Sequence, residues 1–441
     1  MTDKSGSKLS TDRLGFHWIY GIYLALSPII FGLTLLGSLG NQKLGYRLRE
    51  QKNTWRGVQK KWHQSGDGRR MIMLHAASAG EFEQLKPLLQ KIDRRKYFIV
   101  QSFASTTIYS KRHEFDHLYD AHCLLPLDLP WTVFQFFATI TPDKLLITRH
   151  DLWPHLLHVA YRREIALYFI NANIHEKSLW MHPLLQDFSR WLFKHFHLIL
   201  TGSDRLQNYI AKLADPECIL VSGDSRFDQV RARQSEYPGN HLPGSIADTR
   251  NVIFGSIIQS DYDLVLASLA HRYPDGDQSL LNLGERIILV PHENDDALIS
   301  DLVEKLKPLG FKAQLYNQLN ENQIDSVLIV DVVGILADLY AHADLAYVGA
   351  GFGAGVHSVI EPAVHGCAVA YGPNIHILDE AVCMAEEGIA KVVKTSPELN
   401  EFLAFFDDKD EIKKRQQAAL EFVNRYPHSA DVILEAILES P

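Results

Sequence analysis

Two carboxylate-bearing turns and one glycine-rich turn are where residue type and spacing in this chain could do chemistry. In HAASAGEFEQLKPLL (75–89) a β-rich run gives way to small residues and Gly80, and a helix is expected to start near Glu81. Ser78 and Glu81 have the spacing of a helix-capping box. The same geometry stands Glu81 at the carboxyl end of a strand, where a carboxylate within hydrogen-bond reach of a substrate hydroxyl acts as a general base. Gly80 permits close backbone approach. In TRHDLWPHLL (148–157) Asp151 follows another such run, either capping a helix or orienting a hydroxyl, and Arg149 and His150 are suited to an anionic group. NANIHEKS (171–178) offers Asn171, Asn173 and Lys177 after a third run, with plain turn chemistry as the equal alternative.

The densest pattern is YVGAGFGAGVHSVIEPAVHG (347–366). Gly349, Gly351, Gly353 and Gly355 form a loop expected to lead into a helix starting near His357. Backbone N–H groups in such a loop, at the positive end of a helix, suit phosphate. Glu361, one turn into that helix, is placed to accept hydrogen bonds from ribose hydroxyls. No Gly-Lys-Ser/Thr follows, so this is not a P-loop, and the glycines do not open the first β-α-β unit as a dinucleotide fingerprint would. GSIIQS (255–260), VPHEND (290–295) and GPNIHILDEA (372–381) each follow a β-rich run in the same half of the chain. The second half is therefore the nucleotide side.

The elements that must position these groups are short apolar runs alternating with helical stretches. Six fall in the first half: 71–78, 97–103, 144–148, 166–172, 198–203 and 219–224. Five fall in the second: 252–256, 286–291, 327–331, 345–350 and 368–373. Runs of four to eight apolar residues spaced by helices read as strands buried on both faces of parallel sheets. The fold class expected is α/β, two doubly wound Rossmann-like domains facing a cleft, with ligands at the carboxyl ends of strands. The boundaries read as a tail 1–17, a membrane helix 18–39, a first domain 40–230, a Pro/Gly-rich linker 231–250, a second domain 251–409, and a terminal helical stretch 410–441 that packs back.

With 441 residues, 46% hydrophobic and 22% charged, the chain is globular and long enough for two or three domains at roughly 100–200 residues each. The net charge of -9 argues against a general nucleic-acid coat. Cys123, Cys218, Cys367 and Cys383 make no CxxC pair, and no HExxH stands among the 21 histidines, so neither a disulfide framework nor a zinc enzyme is expected.

Trp18 to Leu39 is 22 residues without a charge, enough to cross a bilayer as a helix. Lys4, Lys8 and Arg13 precede it; Lys43, Arg47, Arg49, Lys52, Arg56, Lys60, Lys61, Arg69 and Arg70 follow. That bias puts everything after residue 40 in the cytoplasm, with the basic stretch against anionic head groups. A monotopic or re-entrant helix, kinked at Pro28, is the alternative.

Together these residues resemble the Kdo transferases, membrane-anchored glycosyltransferases that add 3-deoxy-D-manno-octulosonic acid (Kdo) to the lipid A precursor. HAASAGEFEQ is similar to the family's His-x-x-Ser-x-Gly-Glu segment, and DLWP to its acidic-Leu-Trp-Pro motif. GDSRFD (223–228), GS (255–256), VPHE, the glycine-rich loop and GPNIHILDEA follow in the family's order. The resemblance implies a glycosyltransferase-B fold and inverting transfer from CMP-Kdo to lipid IVA at the bacterial inner membrane. No metal and no other cofactor would be needed. It makes Glu81 the base, with Ser78, Gly80, Arg149 and Asp151 at the acceptor. Gly255, Ser256, His292, Glu293, Gly351, Gly353, Gly355, His357 and Ser358 would meet the donor, with Glu361 on the ribose and Asn374 and Glu380 nearby. The chain departs from the family where Ser358 replaces Asn, Ile257 replaces Thr, His292-Glu293 replaces Arg-His, and Asn173 replaces Arg. A glycosyltransferase using another nucleotide sugar, or a non-catalytic lipid-binding paralogue, would share most of the pattern.

Overall fold

The apolar runs become parallel strands with helices over both faces. The computed structural model describes residues 15–236, 241–243, 249–319, 326–425 and 428–439. It divides into two compact units: one runs to Ser225 and regains the chain from Ala430, and the other is Arg226–Ser429.

In the first unit, β1 (Arg70–Ala76), β2 (Tyr97–Phe103), β3 (Ala121–Leu124), β4 (Lys144–Thr148), β5 (Ala166–Ala172), β6 (Leu198–Thr201) and β7 (Ile219–Val221) pair in the order β3-β2-β1-β4-β5-β6-β7. Every pairing is parallel. Side chains alternate across the sheet, so Met71 and Met73 enter one core while Ile72 and Leu74 enter the other. Burial on both sides is why these strands read as continuous apolar runs.

The second unit repeats the plan with β8 (Arg250–Ile257), β9 (Glu285–Pro291), β10 (Ala313–Leu315), β11 (Val327–Ile329), β12 (Leu345–Val348), β13 (Ala368–Tyr371) and β14 (Lys391–Val392). Their order is β10-β11-β9-β8-β12-β13-β14, again parallel throughout. The α/β class and the two parallel sheets expected from the sequence are present. Three strands were not anticipated: β3, β10 and β14. Each lies at an edge of its sheet, and AHCL, AQL and KV are too short and too polar to register as buried runs.

The helices that matter below are α1 (Trp18–Gly40), α2 (Gln42–Ser65), α3 (Ala79–Lys91), α4 (Pro130–Thr139), α5 (Pro154–Arg162), α6 (Gln186–Phe193), α7 (Ser225–Glu236), α8 (Gln259–Arg272), α9 (Ile360–Val364), α10 (Lys409–Val423) and α11 (Ser429–Leu438). Asn41 separates α1 from α2 and caps the second, its side chain accepting the Leu44 N–H at 3.1 Å. The apolar α1 matches the expected membrane helix to within one residue. Residues 231–236, the opening of the stretch read as a linker, are helical; 237–240 and 244–248 of that stretch, the tail 1–14, and 426–427 and 440–441 of the terminal stretch lie outside the described residues. The terminal stretch is two helices. α10 buries Ala419, Phe422 and Val423 in a core of the second unit, and α11 buries Ala430, Ile433 and Ile437 in a core of the first.

Candidate functional site

Each sheet reverses its strand order near its middle, between β1 and β4 in the first and between β8 and β12 in the second. At such a point neighbouring loops leave in opposite directions and open a crevice at the carboxyl ends of the strands. The four motifs follow these four strands: Ser78–Glu81 after β1, Arg149–Asp151 after β4, Gly255–Ser256 at the end of β8, and Gly349–Gly355 after β12.

In the first unit Ser78 is the N-cap of α3, its hydroxyl accepting the Glu81 N–H at 3.3 Å. Gly80 sits in the first turn of that helix. The Glu81 carboxylate reaches one residue further back than a capping box requires: Oε2 accepts the Ala77 N–H at 2.5 Å. Oε1 lies 3.9 Å from His150 Nε2. Glu81 is only 4% exposed. Burial pushes its carboxyl above the ordinary carboxylate range; the Ala77 N–H and the charge of His75 pull it down, but burial prevails.

Asp151 is in the opposite state. Its Oδ2 bonds His75 Nε2 at 2.6 Å and accepts the Trp153 indole N–H at 3.0 Å. Burial raises its carboxyl, yet the His75 bond and charge, with Trp153 and Arg47, outweigh burial and hold it below the usual value. Two nearby carboxyls driven in opposite directions are how a site separates a proton acceptor from a fixed anion. His75 is itself fully buried, its Nδ1 against Ser102 Oγ of β2 at 2.9 Å. Arg149 holds a left-handed backbone (φ 66°), locked by its N–H to Ile170 O and by Asn173 N–H to its own carbonyl, both 3.0 Å.

Asp151 does not cap α5. That role falls to Asp128, whose carboxylate accepts the His155 and Leu156 N–H groups at 3.0 and 2.7 Å. Asn171 is turn chemistry: its side chain exchanges bonds with Ser225 Oγ (2.9 Å) and Ser225 N (3.1 Å) and fixes the start of α7.

In the second unit the glycine-rich turn is packed backbone on backbone. A Cβ on Gly351 would come within 2.6 Å of Gly372 Cα, and one on Gly255 would overlap the Tyr340 hydroxyl. Ser256 and Ala350 adopt left-handed φ values of 54° and 66°. Asp261 of α8 braces both bends, accepting the Ile258 and Ala350 N–H groups at 2.9 Å each. Asn374 donates from its side chain to Gly353 O at 2.8 Å, and its carbonyl receives the Val356 N–H at 2.9 Å, just past Gly355.

The expected helix at His357 is corrected. His357 and Ser358 are non-helical, and α9 starts only at Ile360 and lasts five residues, so Glu361 stands in its first turn. Gly366, at φ 73°, ends it, with Gly366 N–H on Ala363 O. So short a helix adds little dipole, which leaves the loop backbone as the main source of N–H groups for an anion. Burial raises the Glu361 carboxyl against the charges of Arg233 and Arg226. Glu380 pairs with Arg226 of α7. His292, its N–H on Ile257 O, stacks on His357 with ring centroids 4.2 Å apart, and Glu293 stands exposed beside it.

Among the described residues one group has ligand atoms close enough for a metal: His113, Asp116 and His122, within 4.8 Å of one another. It lies by the edge strand β3, away from the four motifs in strand order. The sequence reading gave no role at the site to His75, Arg47, Asp128 or Arg226. His75 and Arg226 sit inside motifs already singled out, whereas nothing in LPLDLP (125–130) marks Asp128.

Residues 44–229 match the family described as 3-deoxy-D-manno-octulosonic-acid transferase (kdotransferase). The 3-deoxy-D-manno-octulosonic acid transferase of Chlamydia muridarum is 26% identical over 425 residues, spanning 93% of this chain and 92% of the relative. That of Aquifex aeolicus is 26% identical over 352 residues, 79% of this chain and 89% of its own length. Among solved structures, UDP-GlcNAc 2-epimerase from Neisseria meningitidis, bound to UDP-GlcNAc, superposes with a TM-score of 0.59 at 14% identity, over 84% of this chain and 100% of that one. That likeness is one of fold, and the two-unit parallel architecture is the glycosyltransferase-B class expected from the sequence. The family match over residues 44–229 and the motifs at both switch points make this chain similar to the Kdo transferases, and these likenesses indicate a glycosyltransferase.

Proposed function

We propose that the chain transfers Kdo from CMP-Kdo to the lipid A precursor lipid IVA, by one inverting displacement at the cytoplasmic face of a bacterial inner membrane, as a step of lipopolysaccharide synthesis. The names of its relatives support the sugar. The observation that carries the chemistry is Glu81, a buried carboxylate with a raised pKa and one oxygen already held by Ala77.

In this reading Glu81 Oε1 takes the proton from a primary sugar hydroxyl of the acceptor. That oxygen forms a bond to the anomeric carbon of Kdo as the bond from that carbon to the CMP phosphate breaks. CMP departs with the bonding pair, and the configuration inverts. Ser78 and Gly80 shape the turn that presents the base, and Arg149 and Asp151 orient the acceptor. Backbone N–H groups around Gly255, Ser256, Gly351, Gly353 and Gly355 meet the leaving phosphate, the kind of preorganised donor that stabilises developing charge. The stacked His292 and His357 face the donor's anionic groups with Ser358 and Glu293, Asn374 keeps the loop in shape, and Glu361 and the Arg226-bound Glu380 take the ribose. No metal takes part.

The test is turnover by the detergent-solubilised full chain, with lipid IVA and CMP-Kdo generated in situ, the lipid read by mass spectrometry. Lipid gaining one or more Kdo units is expected, and none with Glu81→Gln. Folded protein that leaves the lipid mass unchanged, or a Glu81→Gln protein that turns over normally, would overturn the reading.

A further inference from the structure

Helix α1 has the length and apolarity to cross a bilayer, yet one of its faces is already occupied. His17, Tyr20, Leu24, Ser27 and Phe31 recur every three or four residues and turn toward the first unit. Tyr20 Oη is 2.6 Å from His155 Nδ1 of α5. Tyr23, on the same side, donates to the Asp128 carboxylate at 2.6 Å and to the Asp128 carbonyl at 2.9 Å. The rings of His17 and Tyr20 meet Trp191 of α6 at 5.9 and 5.2 Å, and Phe31 meets Trp131 of α4 edge-on at 5.3 Å. Asp128 is the cap of α5, so Tyr23 is tied to a group the body needs for its own fold.

The opposite stripe is bare and apolar: Trp18, Ile22, Leu26, Ile29, Leu33 and Leu36 are all exposed. Beside it α4 exposes Trp131 and Phe134, the latter 62% accessible. After Asn41, α2 exposes Arg49, Lys52, Arg56 and Lys60 at three- and four-residue intervals.

Docking and crossing exclude each other. A 23-residue helix is about 35 Å long at about 1.5 Å per residue, close to the thickness of the hydrocarbon core. If α1 crossed with these contacts intact, Tyr23 would carry Asp128, His155 and the ends of α4 and α5 into the bilayer, where polar and ionisable groups are strongly disfavoured. A helix lying in the plane of the interface keeps its polar stripe on the body and sinks only its apolar stripe.

We propose that α1 is a monotopic, in-plane helix that, with Trp131 and Phe134 of α4, inserts into a single phospholipid leaflet, leaving the N-terminus on the same side of the membrane as the body. The exposed cations of α2 suit the anionic head groups of that leaflet. The bare stripe is then the lipid face of the enzyme rather than a span.

The experiment is protease accessibility of the full chain carrying an N-terminal epitope, in inside-out and right-side-out membrane vesicles. Tag and body are expected to be digested together in inside-out vesicles and protected together in right-side-out ones. A tag digested from the side opposite to the body overturns the proposal, as does recovery of the chain as a soluble dimer with this face covered. A second measurement uses Phe134→Ser, outside both α1 and the reaction site. Its retention on vesicles of phosphatidylethanolamine with phosphatidylglycerol is expected to fall several-fold, and unchanged retention would remove α4 from the inserted face. Neither readout depends on sugar transfer, so a failed transfer assay and a failed topology assay remain distinct results.

Discussion

His75 on β1 and Asp151 after β4 share a 2.6 Å hydrogen bond across the point where the first sheet reverses its strand order. It links the strand that leads to Glu81 with the turn that carries Arg149. Because His75 is fully buried, the bond also satisfies an imidazole that has no water to turn to.

Removing the acceptor should therefore cost stability as well as rate. Asp151→Ala leaves His75 Nε2 and Trp153 Nε1 without their shared partner, a loss of about 1–3 kcal/mol by urea unfolding. The Asp151 carboxyl is depressed in the folded state, so its stabilisation is complete above the ordinary carboxyl pKa and is lost as pH falls through the depressed value. Wild type and Asp151→Ala should converge in stability at strongly acid pH. A difference that stays constant with pH would contradict this account.

Glu81→Gln should separate activity from stability. Loss of a general base lowers kcat by about 10²- to 10⁴-fold. The Glu81 carboxyl is raised in the folded state, so the folded protein holds that proton more tightly than the unfolded chain. Stability then falls as pH rises from the ordinary glutamate value through the raised one. Glu81→Gln should unfold at an equal or higher temperature than wild type at pH 8, with the gap closing near pH 4. A lower melting temperature for the variant at pH 8 would show that the charged carboxylate stabilises the fold.

The same shift sets the acid limb of the rate profile. Only ionised Glu81 accepts a proton, so kcat should decline as pH falls through a value above that of an ordinary glutamate. A kcat profile that stays flat down to the usual glutamate pKa would remove Glu81 from the proton transfer.

Gly255→Ala tests the packing of the donor turn. Its new Cβ would overlap the Tyr340 hydroxyl, and overpacking of this kind costs about 1–3 kcal/mol. CMP-Kdo binding by calorimetry should weaken at least tenfold. Tyr340→Phe in the same chain should restore part of it; no restoration would mean that the two residues are not the source of the conflict.

If, as proposed, backbone N–H groups rather than a cation meet the leaving phosphate, transfer should be unchanged after dialysis against EDTA. An activity lost to the chelator and regained with a divalent ion would assign the metal a role.

Much of this protein is local in origin and legible in its residues. Buried parallel strands need apolar runs on both faces, so eleven of the strands stand out in the sequence, and Gly and small residues mark where backbones bend at their ends. The edge strands β3, β10 and β14 escape because a strand paired on one side needs little apolar signal. The length of α9 escapes for another reason: it is ended by Gly366 and delayed by bonds from Val356 and His357 to Asn374 and Gly349. What tertiary structure alone decides is partnership. His75 and Asp151 are 76 residues apart, and Tyr23 and Asp128 are 105 apart. No periodicity joins such pairs. The order of strands in the first sheet brings β1 beside β4, and the docking of α1 on α4 and α5 turns an apolar run that could cross a bilayer into a helix with a polar side already taken.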